Sequence, residues 1–172
     1  MKKGYVSQDK APWLRYALEK RVITLITLVP LIILGLLIAP PATCIGFFIA
    51  FYSLRTYTNG YHAKSVGKCF LYSMLGEFFF LKIFPLVLNN ITSVISLSVA
   101  IILIWLLAPY NSTNMNLSSA EAAACAKSAK LRLSLLLLLI VLLGRTQSNL
   151  AQGILLGIVM TASLLGMAYI LQ

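Results

Sequence analysis

The chain has 172 residues, 60% of them hydrophobic and 10% charged, with 14 Lys/Arg against 4 Asp/Glu and a formal net charge of +10. That composition excludes an ordinary soluble domain. It predicts an all-α integral membrane protein in one polytopic domain over 1–172, with room for about six spans of ~20 residues. Three scattered cysteines, one histidine and no CxxC exclude a disulfide framework and a catalytic zinc or di-metal site, so no metal or other cofactor is expected.

Residues 1–21 carry Lys2, Lys3, Lys10, Arg15, Lys20 and Arg21 among Trp13, Leu14, Tyr16 and Leu18. They read as an amphipathic helix on the membrane surface, opened by Pro12, with cations toward anionic lipid. The apolar run that follows is long enough to span and shows no convincing cleavage site, which predicts a retained first span rather than a signal peptide. That span covers about 22–39 and ends at Pro40-Pro41, where the backbone lacks two donors. The second, about 42–56, reaches spanning length only with Arg55 at the interface. A third is expected over 70–88, a fourth over 91–108, a fifth over 131–144 and a sixth over 150–171. Ser118-Ser-Ala-Glu121, in the longest polar loop, fits a capping box that opens a helix leading into the fifth span.

Placing the amino terminus in the cytoplasm makes the cation distribution consistent. Only Arg145 then falls outside, and Lys82 lies within a span. This asymmetry predicts both termini inside. It also sets the island from Arg55 to Cys69 at the cytoplasmic face, where thiols stay reduced. Clustered cations between apolar runs point to anionic lipid, and no basic face interleaved with aromatics suggests nucleic acid.

That island holds the sole histidine, His62, and Cys69 seven residues later, beside Lys64 and Lys68. A thiolate and an imidazole can perform acyl transfer, one attacking a carbonyl and the other moving the proton. On one straight helix they would be roughly 10 Å apart along the axis, too far to touch. The chain must bend to bring them together, and Gly60 and Gly67 supply the freedom, with the bend expected near Gly67. Cys69 in the first turn of the third span would feel the helix dipole and Lys68, both favouring thiolate. The bland reading is a structural cysteine in a buried helix, which is how Cys44 and Cys125 are read.

Cys69, Ser73 and Glu77 share a helix face at four-residue spacing. Ser73 either bonds within the site or back-bonds to its own helix. Glu77 either orients His62, binds a substrate cation or pairs with Lys82 or a lysine of another helix. Lys127, Lys130 and Arg132 are candidate contacts for an acidic substrate tail, or simply topology signals. Gly153, Gly157 and Ala162 would permit close helix contact, compatible with a homodimer.

The pattern Arg55-x4-Gly60-x-His62-Ala63-x5-Cys69-x3-Ser73 resembles the accessory gene regulator B family of bacterial membrane cysteine endopeptidases. The similarity extends over nearly the whole chain, including Ala108-Pro109 leading to Asn114. Departures are Asn59-Gly60, where the family often has paired glycines, and Met115-Asn116, where it commonly has Lys-Pro. The resemblance implies a nucleophile at Cys69, a general base at His62 and supporting roles for Arg55 and Gly60. It implies removal of the carboxy-terminal tail of a small amphipathic signalling propeptide. A thioester on the cysteine then closes to a thiolactone or lactone quorum-sensing peptide. The competing expectation is a non-enzymatic transporter or scaffold for peptide export, with Glu77 and Lys82 lining a pathway.

Overall fold

The computed structural model describes residues 26–60, 65–111 and 118–171. The surface segment over 1–21, His62, Lys64 and Asn114 lie outside the described residues. Among those described, the structure is helical throughout. In chain order α1 covers Ile26–Ile38, α2 Pro41–Thr58, α3 Val66–Phe78, α4 Asn90–Leu107, α5 Ser119–Leu143 and α6 Ser148–Leu171. Three stretches are long and apolar enough to cross a membrane: Gly67–Val87, Asn90–Leu107 and Ser148–Leu171.

Local chemistry sets most boundaries. Pro41 is the first residue of α2, where its missing N–H costs nothing, so the double proline both ends α1 and opens α2. The predicted capping box is present: Glu121 N–H donates to Ser118 Oγ (3.3 Å) and Ser118 N–H to Glu121 Oε2 (2.9 Å). A second box opens α4. Asn89 Oδ1 accepts from the N–H groups of Ile91 and Thr92, and Thr92 Oγ1 accepts from Asn89 N–H.

The third apolar stretch is not a uniform helix. After Phe78 it widens to a π-segment, Phe79–Ile83, then tightens to a 3-10 turn, Phe84–Val87. Pro85 is the physical cause: it cannot bond the Leu81 carbonyl and its ring crowds that carbonyl. The ladder changes register just before it, and Phe84 N–H donates to Phe79 O.

The centre of the molecule is α6, which packs on α2, α4 and α5 and is buried over much of its length. Leu54, Ile104, Leu133, Ile158 and Leu165 form its apolar surround. Between α2 and α6 the backbones nearly touch. A β-carbon at Gly153 would collide with the Thr43 carbonyl, one at Gly157 with the Phe47 carbonyl, and one at Gly46 with the Leu150 carbonyl. Lipid supplies no hydrophobic force between helices, so such close van der Waals packing is what holds them. Gly153 and Gly157 are thus used within the chain, against α2.

Candidate functional site

The polar island begins where α2 ends. Asn59 has φ 56° and ψ −138°, and Gly60 has φ +123°, so the chain turns sharply at two successive left-handed residues. Glycine adopts these angles freely, whereas asparagine there costs about 1–3 kcal/mol and persists only under external constraint. The constraint comes from the segment after α4. Tyr110 N–H donates to Thr58 O (2.9 Å), and Asn59 Nδ2 donates back to Tyr110 O (3.2 Å). Gly60 is buried between the Arg55 guanidinium and the Leu164 carbonyl of α6. Tyr110 packs edge-on against Tyr169 at 5.0 Å, and Tyr169 Oη donates to Leu107 O (2.9 Å). The carboxy-terminal ends of α2, α4 and α6 are therefore laced together at one rim.

Cys69 faces the same rim. Ser65 caps α3 through Lys68 N–H, and Cys69 N–H makes the first intrahelical bond, to Ser65 O at 3.0 Å. Cys69 is half-buried. Arg55 packs over Gly60 and lies within electrostatic reach of Cys69. Ser73 resolves to the second of its two readings: its hydroxyl donates to the Cys69 carbonyl at 2.9 Å, not to the thiol.

Gly67 lies inside the first turn of α3 with a helical backbone, while Ser65 just before it is extended. The physical reason is the cap: Ser65 starts the helix before Gly67, so that residue is already committed to the helix. The sharp turn at Asn59-Gly60 precedes His62, and the stretch from 61 to 64 lies outside the described residues. His62 follows Gly60 by two peptide steps of ~3.8 Å each.

Glu77 lies two helical turns below Cys69 and is 2% exposed. Among the described residues neither carboxyl oxygen has a hydrogen-bond partner, so the pair with Lys82 does not form, and Lys82 is itself exposed. In place of a cation, Glu77 meets Gly35 of α1 and Cys44, Phe48 and Tyr52 of α2. Gly35 makes the room, since a β-carbon there would lie 2.7 Å from both Glu77 Oε1 and Cys44 Sγ. The Cys44, Phe48, Tyr52 ladder at four-residue spacing is the sequence signal that could have marked this face.

The three basic candidates on α5 separate. Arg132 reaches α2, where its guanidinium stacks on Tyr57 (4.2 Å), donates to Tyr57 Oη (3.1 Å) and meets the Ser53 carbonyl at 3.5 Å. Lys130 Nζ sits 4.9 Å over the Trp105 ring of α4. Lys127 is exposed. Among the described residues no group of three or more His, Cys, Asp or Glu could hold a metal ion.

Among the described residues, a helical bundle with three stretches long and apolar enough to cross a membrane, and with a basic rim, marks a membrane protein with a polar site at one end. A sequence model described as AgrB, Accessory gene regulator B, matches residues 1–165, and the chain belongs to that family. The family comprises peptide-processing proteins that take part in maturing autoinducing peptides, as the sequence pattern implied. Comparisons with curated proteins and with solved structures gave no match.

Proposed function

We propose that the protein is a cysteine endopeptidase of the bacterial cell membrane that cuts a small signalling propeptide and cyclises it. Cys69 is the nucleophile. Its thiolate attacks the scissile carbonyl after His62 takes the thiol proton, and His62 returns that proton to the departing amine of the carboxy-terminal tail. The retained part of the peptide is then a thioester on Cys69. A Cys or Ser side chain within the peptide attacks that thioester, and its proton passes through His62 to the leaving Cys69 sulfur. The product is a thiolactone or lactone. Exclusion of bulk water from a half-buried thiol favours ring closure over hydrolysis.

The observation that carries this reading is the placement of Cys69 in the opening turn of α3, within electrostatic reach of the Arg55 that packs over Gly60. The amphipathic leader of the propeptide lies on the cytoplasmic surface, and exposed Lys68 and Lys127 attract its acidic tail as well as anionic lipid.

The test is purified protein with a candidate propeptide in lipid vesicles. Wild type should release the tail and accumulate a hydroxylamine-labile adduct at Cys69. Cys69→Ala and His62→Ala should each lower cleavage by about 10²-fold or more while inserting normally. Persistent cleavage in either variant would sink the assignment. Peptide movement without cleavage would favour a transporter.

A further inference from the structure

Arg132 is held in one orientation by α2, and among the described residues no acid answers its charge. We propose that Arg132 is a specificity-determining residue whose guanidinium, clamped on Tyr57, receives a side-chain carboxylate from the tail of the peptide substrate. This deepens the reading of the chain as an endopeptidase that cuts at Cys69, and rests on it.

The clamp comes first. The guanidinium lies 4.2 Å over the Tyr57 ring, donates to Tyr57 Oη at 3.1 Å and meets the Ser53 carbonyl at 3.5 Å. A guanidinium carries five N–H groups, so these two bonds leave three, in a plane whose direction the ring fixes. Arg132 is half-buried, and none of its nitrogens is sealed away without a partner, so the remaining donors are reachable from the rim. The chain supplies no carboxylate for them among the described residues. Glu77 is buried against α1 and α2, and Glu121 is taken by Ser118, about 16 Å back along α5. A planar fork held in place without an anion suits bidentate binding of a carboxylate. Lys127, a point charge on an exposed stem, suits lipid phosphate instead.

Helix register says which part of the peptide arrives there. Glu77 meets Cys44 beside Gly35, which sets α3 against the Cys44, Phe48, Tyr52 face of α2. From Cys44 to Tyr57 α2 climbs about 20 Å, and from Glu77 to Cys69 α3 climbs about 12 Å. Tyr57 and Ser53 also point about 160° round α2 from the face that meets α3. Arg132 is therefore about 8 Å above the level of Cys69 and a helix width of about 10 Å across from it. An extended tail covers that separation, about 13 Å, in about four residues. An acidic side chain about four positions beyond the cut is the one that Arg132 reads.

Binding is measured without cleavage, on full-length Cys69→Ala protein in phosphatidylcholine nanodiscs. The probes are two end-blocked hexapeptides, a Glu-Gly repeat and a Gln-Gly repeat, each carrying an uncharged dye. The Glu peptide should bind about tenfold tighter than the Gln peptide. Arg132→Gln should erase that preference and leave the Gln peptide unchanged, while Arg132→Lys, lacking the fork, should keep only part of it. Tyr57→Leu should weaken the preference too, and add nothing in the Arg132→Gln background, because Tyr57 acts through Arg132. In the active protein, an acid-to-amide exchange about four positions past the cut of a candidate propeptide should raise KM about tenfold with kcat unchanged. Arg132→Gln should be indifferent to that exchange.

Equal binding of both hexapeptides by the Cys69→Ala protein would overturn the proposal, as would a preference that survives Arg132→Gln. So would a loss of both peptides together with a lowered thermal midpoint, which marks a clasp between α2 and α5 and nothing more. An Arg132→Gln effect seen only when phosphatidylglycerol is added would assign the guanidinium to lipid and overturn it as well. If wild type leaves the propeptide uncut, the enzymatic reading falls, and the hexapeptide preference still decides whether Arg132 receives a carboxylate.

Discussion

At the scale of single residues, Glu77 departs most from what its neighbours in sequence suggest. A carboxylate in a spanning helix with Lys82 five residues on invites an ion pair. In a helix, however, five residues carry the side chain about 140° around the axis. Accordingly Glu77 is buried and Lys82 exposed. What remains is a buried polar group with both oxygens unpartnered among the described residues, and this costs about 1–3 kcal/mol or more. Glu77→Met, similar in length and apolar, should therefore raise the thermal midpoint of the solubilised protein by a few degrees. A lowered midpoint would mean the carboxyl has a stabilising partner. If tail release falls in the same variant while stability rises, the cost is being borne for function.

At the scale of elements, the start of α5 behaves as its sequence says. The Ser118–Glu121 box is fully local, each partner within three residues, so four positions suffice to specify it. Hydrogen bonds from Ser118 hold the Glu121 carboxyl below the usual carboxylate range. A folded pKa below the unfolded one contributes stability above the unfolded value, lost as pH falls through the folded one. The first turn of α5 should accordingly keep its amide protection at neutral pH and lose it in the acidic range. Hydrogen exchange at residues 119–122 would measure this, and Ser118→Ala, which keeps the backbone bond and removes the hydroxyl one, should weaken the pH dependence. Arg132 illustrates the opposite case. It reads as a loop cation from sequence, and only the approach of α5 to α2 turns it into a clasp on Tyr57 and Ser53.

At the scale of the molecule, the helices alternate in direction and the described cations gather at one end. Arg55, Lys68, Lys127, Lys130 and Arg132 lie toward the rim laced by Tyr110 and Tyr169, whereas Arg145 lies beyond the other end of α5. α4 and α6 both end at that rim, and the short connection from Gly144 to Gln147 turns α6 back along α5, so α5 runs opposite to α4. This arrangement predicts a cytoplasmic rim. In a cysteine-free background, Asn90→Cys and Arg145→Cys should react with an impermeant thiol reagent in intact cells. Lys68→Cys and Lys127→Cys should react only after permeabilisation. The reverse pattern would place the site outside.

The amino-acid sequence by itself determined the membrane class, the apolar segments, the proline break after α1, the cap of α5 and the cation asymmetry. Each depends on composition or on partners within one helical turn. The tertiary structure decided how the turn after α2 is held, which basic residues are engaged and that Glu77 has no partner among the described residues. Those outcomes rest on pairings such as Asn59 with Tyr110, 51 residues apart. Their geometry exists only after α2, α4 and α6 have packed, because backbone approach at Gly153 and Gly157 sets how the helix ends meet.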